Sequence, residues 1–452
     1  MRFRILILLM SLLAGIAQVS AAAPERWYFA QNLVDGQVIA YTAKGETNIL
    51  LNGLTERGYG YALDEQSALA ILNIDGTPGL FHLTPEAASQ IPLSFDLAVL
   101  EDELIIRETH LPYVFMQIPG DASVVTGLLV NVETHTAEMI SPTPVYFGQD
   151  SLRFSEDGQM LRYVRQGDNN STWHLVERTL ATGNEHIFFT IEEDRFARIA
   201  ADRYGEHWLY GAPTEPVTYL LISPDASAAV LAEDSERLWG IFDDNVYATP
   251  LNCLKNCAIE LYPFDGGSNL TFVVPTSEGA VVPVHMSDAS QLTAFDLYSS
   301  SLVNITPDGT ASLLGYWTSL SVWTPFDEIF SPDGRWLLVV NDPENPTLFS
   351  LWDTANQQTA FEIPYTEPVE ILYDDGGILI YEGTDITYLY LLSDEPPVQL
   401  PHSDQGHYYA IADDGSILFW QYGDAMPPGL YTYDAATESY TLLIEAAEVL
   451  IP

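Results

Sequence analysis

The chain of 452 residues is 47% hydrophobic and 12% aromatic, ample for a large buried core, which excludes disorder as its main state. With 16 Lys and Arg against 63 Asp and Glu, the formal net charge is −47. A field of that sign repels phosphate backbones and anionic headgroups, so nucleic acid and acidic membrane surfaces are excluded as partners, while cations and basic proteins are attracted.

The chain opens on "MRFRILILLMSLLAGIAQVSAAAPE". Two arginines, Arg2 and Arg4, precede an apolar stretch from Ile5 to about Ile16 and then small residues with A-x-A-like cut sites near Ala21 to Ala23. This is the pattern of a cleaved secretory leader, residues 1–22. The mature domain, 24–452, is accordingly expected to be secreted, periplasmic or held at the cell surface. No later segment is long and apolar enough to cross a bilayer as a helix.

After the leader the chain repeats a short hairpin signal. A fragment of two or three strands, "RWYFAQNLVDGQVIAYTAKGETNILL", begins at Arg26, and faint acidic turn marks follow at Asp64 and Asp102. Clearer marks stand at Asp157, Asp202, Asp244, Asp288, Asp333, Asp375 and Asp414, separated by 45, 42, 44, 45, 42 and 39 residues. The best formed are "FSEDGQMLRYV" and "FSPDGRWLLVV", where an Asp-Gly turn joins two apolar runs. A second turn follows each first one at a regular distance, as in "LVERTLATGNEHIFF" and "LYTYDAATESYTLLI". Each unit is thus four strands with two tight hairpins and one looser loop. A period of 40 to 45 residues rich in short strands is the mark of propeller blades, and such units must stack and close into a ring to protect their edges. Counting turns gives at most nine complete units plus the fragment from Arg26. The expected fold is all-β, a single closed β-propeller of about eight four-stranded blades, with seven to nine admissible, closed by pairing between the two ends of the chain.

The stretch "FSPDGRWLLVV…TLFSLWDTANQQTAFEI" resembles the WD-like repeats of TolB-like propeller proteins of the bacterial envelope. In these an apolar-S-P-D-G hairpin is followed by a D-x-x-T-G hairpin. The resemblance covers most of the mature chain at the level of the repeat, and it implies the propeller fold and a place in the cell envelope.

In such a blade both tight hairpins lie on one side of the disc, and the longer, variable connections lie on the other. The latter include "THLPYVFMQIPGDASVVTG", "YGAPTEPV", "ATPLNCLKNCA", "YWTSLSVWTPFDE", "PHSDQGHYY" and "QYGDAMPPG". Variable loops on a rigid frame are where binding usually resides. Their aromatic residues Tyr113, Phe115, Tyr316, Trp317, Trp323, His402, His407 and Tyr408 are candidate ligand contacts, and packing between blades is their alternative role. Cys253 and Cys257 in an exported chain are expected to form one disulfide. Acid pairs such as Asp243/Asp244, Asp374/Asp375 and Asp413/Asp414 can form turns by bonding their own backbone or can hold calcium. No D-x-[DN]-x-[DN]-G loop supports calcium, and no other metal or cofactor is expected.

The sequence has no G-x-S-x-G elbow and no C-x-x-C-H haem motif. The reading is therefore an exported, non-catalytic binding scaffold for a protein or glycan partner of the envelope. The alternative is a propeller enzyme acting on a carbohydrate or other small substrate through carboxylates in the central channel.

Overall fold

The computed structural model describes residues 26–95, 105–118, 125–145, 151–167, 172–192, 198–225, 227–253, 256–264, 267–274, 280–286, 291–297, 299–306, 309–316, 336–342, 347–353, 358–364, 369–374, 377–382, 386–391, 398–400, 406–412, 416–423, 426–435 and 437–451. The leader lies outside these residues. Every described element is a β-strand and every strand pair is antiparallel; the pairs join sequence neighbours except where the two ends of the chain meet and where Val145 pairs with Arg165 past the strand Leu152–Phe154. The strands form eight sheets, and the fold is a β-propeller. Two of the sheets, of eight and seven strands, are each two units joined by a single residue pair, Val145↔Arg165 and Tyr316↔Val340. The repeat therefore occurs ten times among the described strands. We number the units by residue: unit 2, 54–91; unit 3, 105–145; unit 4, 152–191; unit 5, 198–233; unit 6, 237–274; unit 7, 281–316; unit 8, 336–364; unit 9, 369–400; unit 10, 406–445.

Unit 1 is built from both ends of the chain. The fragment seen in the sequence supplies Tyr28–Asn32, Gln37–Tyr41 and Thr47–Asn52, and Glu448–Ile451 completes the sheet by pairing with Tyr28–Asn32. The expected count of nine whole units and a fragment matches the ten repeats, and the expected figure of about eight matches the separate sheets.

The marks at Asp157, Asp202 and Asp244 fall in the first hairpins of units 4, 5 and 6. Asp288, Asp333, Asp375 and Asp414 lie outside the described residues, although strands flank the positions of Asp288, Asp375 and Asp414 as expected. The mark at Asp102 lies outside the described residues. Unit 3 turns at Leu111 and Pro112, between the strands Ile105–His110 and Tyr113–Ile118.

Fourth strands such as Thr47–Asn52 and Ala228–Glu233 are mostly exposed, whereas first strands such as Leu152–Phe154 and Arg198–Ala201 are mostly buried. First strands therefore face the axis and fourth strands the rim. In six units the fourth strand carries a bulge, and the extra residue, Leu50, Phe188, Leu231, Leu314, Ala360 or Leu443, has no partner across the ladder. Five of these, all but Ala360, pack into the cores between units. The bulge thus adds an apolar anchor and also twists an open edge away from further pairing.

Candidate ligand-binding face

The side carrying the tight hairpins is closed by its own bonds. Asp64, Asp157, Asp202 and Asp225 accept backbone N–H bonds two or four residues on, at 2.8 to 3.0 Å, as turn-forming acids do. The Ser155 hydroxyl, then the Gln159 N–H, hold the Asp157 carboxyl below the usual range. Asp243 adopts positive φ in its hairpin, and burial raises its pKa. Among the described residues no group of three or more His, Cys, Asp or Glu is arranged to hold a metal. Arg162 reaches across this side to Glu177 (2.9 Å) in its own unit and to Glu206 (2.7 Å) and the Tyr204 carbonyl in unit 5. His207 stacks on Phe264 of unit 6 at 4.0 Å. These interactions weld neighbouring hairpins together.

The opposite, variable-loop side offers two clusters. The first lies where units 10, 1 and 2 meet. Arg57, on the axis-facing strand of unit 2, donates from Nε to Glu448 Oε2 (2.8 Å) and lies 5.6 Å over the Trp420 ring of unit 10. Trp420 in turn meets Tyr422 edge-on at 5.4 Å. Tyr59 and Tyr61 follow Arg57 at alternate positions of the same strand and meet edge-on at 6.4 Å. Arg57 is 60% exposed and Tyr422 53%. On the adjoining loop of unit 1, Val34 is 81% exposed. The strand is seated by Gln31, whose side chain accepts from the Gly58 N–H at 2.8 Å. A side chain at Gly58 would strike the Ile71 carbonyl at 2.7 Å, so only glycine permits this approach.

The second cluster lies at the variable-loop end of the seam between units 5 and 6. Trp239 stacks between Tyr219 (5.5 Å) and Tyr262 (5.6 Å). Arg237 donates to Glu260 at 2.7 Å and lies 3.5 Å from Asp234. The Tyr262 hydroxyl, aided by Arg237, holds the Glu260 carboxyl below its usual range, against burial. The loops above are laced together: Asp234 N–H bonds the Val217 carbonyl at 2.9 Å, and Leu251 N–H bonds the Glu236 carbonyl at 2.9 Å.

Leu251 begins the loop closed by the expected disulfide, Cys253–Cys257, with Cα atoms 5.6 Å apart. Cys257 starts the strand Cys257–Pro263 and is buried. Closing so short a loop removes little chain entropy. Reducing the disulfide should therefore change global stability little and raise backbone hydrogen exchange in residues 251–257. Intact-mass analysis without reductant should find no free thiol in the parent protein; two alkylatable thiols would contradict this.

The other expected contacts are redistributed. Tyr113 and Phe115 were expected on a long loop but lie in the strand Tyr113–Ile118, because the run "YVFMQI" packs on both faces of its sheet. Phe115 is fully buried beside Gly127, and Tyr113 is partly buried against the same core. His407 and Tyr408 likewise belong to a strand, Gly406–Ile411. Tyr408 is buried, shares a 2.7 Å hydrogen bond with Tyr440 and packs on Phe419 and Tyr433. For Phe115 and Tyr408 the packing role is the one observed. Tyr316 ends a strand and is partly buried. Trp317, Trp323 and His402 lie outside the described residues. Arg57, Trp420, Tyr422, Tyr219 and Trp239 were not singled out. For Tyr422 a signal existed, since it opens the variable loop "QYGDAMPPG".

No family model and no curated protein matches the chain. Its resemblance is to solved structures. A eukaryotic initiation factor aligns over 84% of this chain and 97% of its own, at 11% identity and a TM-score of 0.51. An oligogalacturonate lyase from Vibrio parahaemolyticus aligns over 73% and 91%, at 12% identity and a TM-score of 0.38. The β-propeller domain of the Trilobed protease from Pyrococcus furiosus aligns over 76% and 98%, at 11% identity and a TM-score of 0.34. At such identities the likeness concerns the fold alone. The propeller-repeat resemblance holds at that level.

Proposed function

We propose that this protein is an exported, non-catalytic binding scaffold of the TolB-like propeller kind, which takes a protein or glycan partner on its variable-loop face. The observation that carries the reading is the cluster in which the exposed Arg57 and Tyr422 flank the partly buried Trp420, with the exposed Val34 on the adjoining loop. Aromatic rings with a polar or cationic neighbour, left open on a rigid frame, are typical recognition groups. Carboxylates on three axis-facing strands are already engaged: Glu448 by Arg57, Glu108 by Arg153, and Glu56 by Asn73. That supports structural use of their charge over acid–base chemistry. The disulfide and the leader pattern support export.

The test is partner capture from the envelope of the host by the mature protein and two variants. A Tyr422→Ala/Val34→Asp variant should melt like the parent, since both side chains are largely exposed, and should lose the captured partner. A variant of the tight-hairpin side, Glu133→Gln/Glu438→Gln, should retain it. The reverse pattern would overturn the placement of the face.

A further inference from the structure

Around the first cluster the connections of units 10, 1 and 2 are joined into one continuous ledge. Pro428, in the loop that Tyr422 opens, accepts from the Ala446 N–H at 2.8 Å. The neighbouring carbonyl, that of Glu445, accepts from the Asn32 side chain at 3.4 Å. Asn32 in turn holds its own loop, accepting from the N–H groups of Val34 and Asp35 at 3.0 Å. Beyond that loop the Gly36 carbonyl accepts from Leu54 N–H at 3.0 Å, and the Gly53 carbonyl from Asp75 N–H at 2.7 Å. The ledge is thus ordered before any partner arrives, which spares binding the cost of ordering it.

Two kinds of side chain stand outward on this ledge. Leu33, Val34, Tyr422, Pro427 and Pro428 are exposed apolar groups, and Val34 is the most exposed large apolar side chain among the described residues. The exposed carboxylates of Glu445, Asp35 and Asp75 are interspersed with them. Among the described residues none of these three has a cationic partner: Asp35 accepts from the neutral Asn32 amide at 3.1 Å, and Arg57 is taken by Glu448. The apolar ground is also of the wrong kind for a sugar, which stacks on an open aromatic face. One face of Trp420 carries Arg57, and its ring is otherwise packed against the core between units 10 and 1. A branched aliphatic group such as Val34 gains most by burial against another apolar side chain.

We infer that the ledge docks a cationic protein segment. An aliphatic or aromatic side chain of the partner packs on Val34 and Tyr422, while flanking lysines or arginines meet Asp35, Glu445 and Asp75. Carboxylates without counterions around the apolar ground repel an acidic segment and favour a basic one. The acidity of the whole chain draws basic segments toward every face, so what distinguishes the ledge is apolar area set among the charges. The inference rests on the scaffold reading above and names the partner of the same site.

The experiment is panning of a random-peptide phage library on the immobilised mature protein at physiological ionic strength, with affinities of the enriched peptides then measured by fluorescence anisotropy. Enriched peptides should combine lysine or arginine with an aliphatic or aromatic residue. Val34→Ser should weaken them about tenfold. Asp35→Asn/Glu445→Gln should weaken them about fivefold, as expected for two exposed ion pairs. All three side chains are exposed, so these variants keep the fold. Glu133→Gln/Glu438→Gln removes the same net charge from the tight-hairpin side and should leave the affinity unchanged. Equal weakening by the two charge variants would show general attraction to an acidic protein and would overturn the inference. So would enrichment of acidic or uncharged peptides, or no enrichment at all. A glycan array probed with the same protein separates this failure from that of the scaffold reading. A glycan bound by the parent and lost with Tyr422→Ala/Val34→Asp would overturn the cationic segment and leave the scaffold standing. Ligands of either class lost only with Glu133→Gln/Glu438→Gln would overturn both.

Discussion

Deleting residues 447–452 should abolish the cooperative unfolding transition, although it removes only one short strand. That strand, Glu448–Ile451, is the axis-facing member of unit 1 and pairs with Tyr28–Asn32. Its two faces enter two different cores. Leu450 packs with Phe29, Val38, Leu54 and Leu72 between units 1 and 2, while Val449 joins Tyr28, Tyr41 and Tyr409 between units 10 and 1. Leu450→Ala alone should cost about 2–5 kcal/mol, the usual range for truncating a buried leucine. The deletion adds the loss of the ladder and exposes the strand edge of Tyr28–Asn32, a template for aggregation. Against a total stability of about 5–15 kcal/mol, the sum is ruinous. Urea titration followed by tryptophan fluorescence should give a lowered but cooperative midpoint for Leu450→Ala. The deletion variant should give a broad or absent transition, restored in part by a synthetic peptide of residues 446–452. A deletion variant with the parent's midpoint would show that unit 1 closes without its inner strand.

The repeat was legible because Asp-Gly and related hairpins leave a chemical mark wherever the backbone must reverse in two residues. The marks at Asp157, Asp202 and Asp244 locate real turns for this reason. At unit 3 the reversal occurs at Leu111 and Pro112 without an acid, so the mark was sought in the wrong place and an apolar strand was read as a loop. The rim bulges at Leu50 or Leu443 left no trace, since the inserted residue is one more aliphatic in an aliphatic run. The recognition surface was harder still. Rings that bind and rings that pack have the same composition, as Tyr408 and Tyr422 illustrate, and Arg57 meets Trp420 from 363 residues away, where no spacing rule applies. Seven arginines stand between Arg153 and Arg203, a crowding plain in the sequence itself. Its meaning, ion pairs that join unit 4 to its neighbours, required the fold.

That network yields the second large effect: Arg178→Ala should destabilise the protein by about 2–4 kcal/mol, and the loss should depend on pH. The Arg178 side chain is 7% exposed; it donates to Glu138 in unit 3 (2.6 Å) and to Glu185 in its own unit (3.1 Å). Glu185 also accepts from Arg165 and from the Tyr163 hydroxyl. Removing one member of a buried pair usually costs 3–5 kcal/mol. Here Glu138 is largely exposed and can rehydrate, and Glu185 keeps two other donors, which lowers the expected cost. Arg165→Ala, removing a more exposed partner, should cost about 1 kcal/mol or less. Burial alone would raise the pKa of Glu185, but the Tyr163 hydroxyl, Arg165 and Arg178 together bring it below the ordinary value. A carboxylate whose folded pKa is depressed contributes stability above its unfolded pKa, about 4.3, and loses it as pH falls through the lower folded value. Arg178→Ala shrinks that depression. The gap in urea midpoint between parent and variant should therefore be full at pH 7 and narrow steadily below about pH 4. A gap that stays constant down to pH 3 would mean that Arg178 acts through the packing of its alkyl stem, and the ion-pair account of this seam would fall.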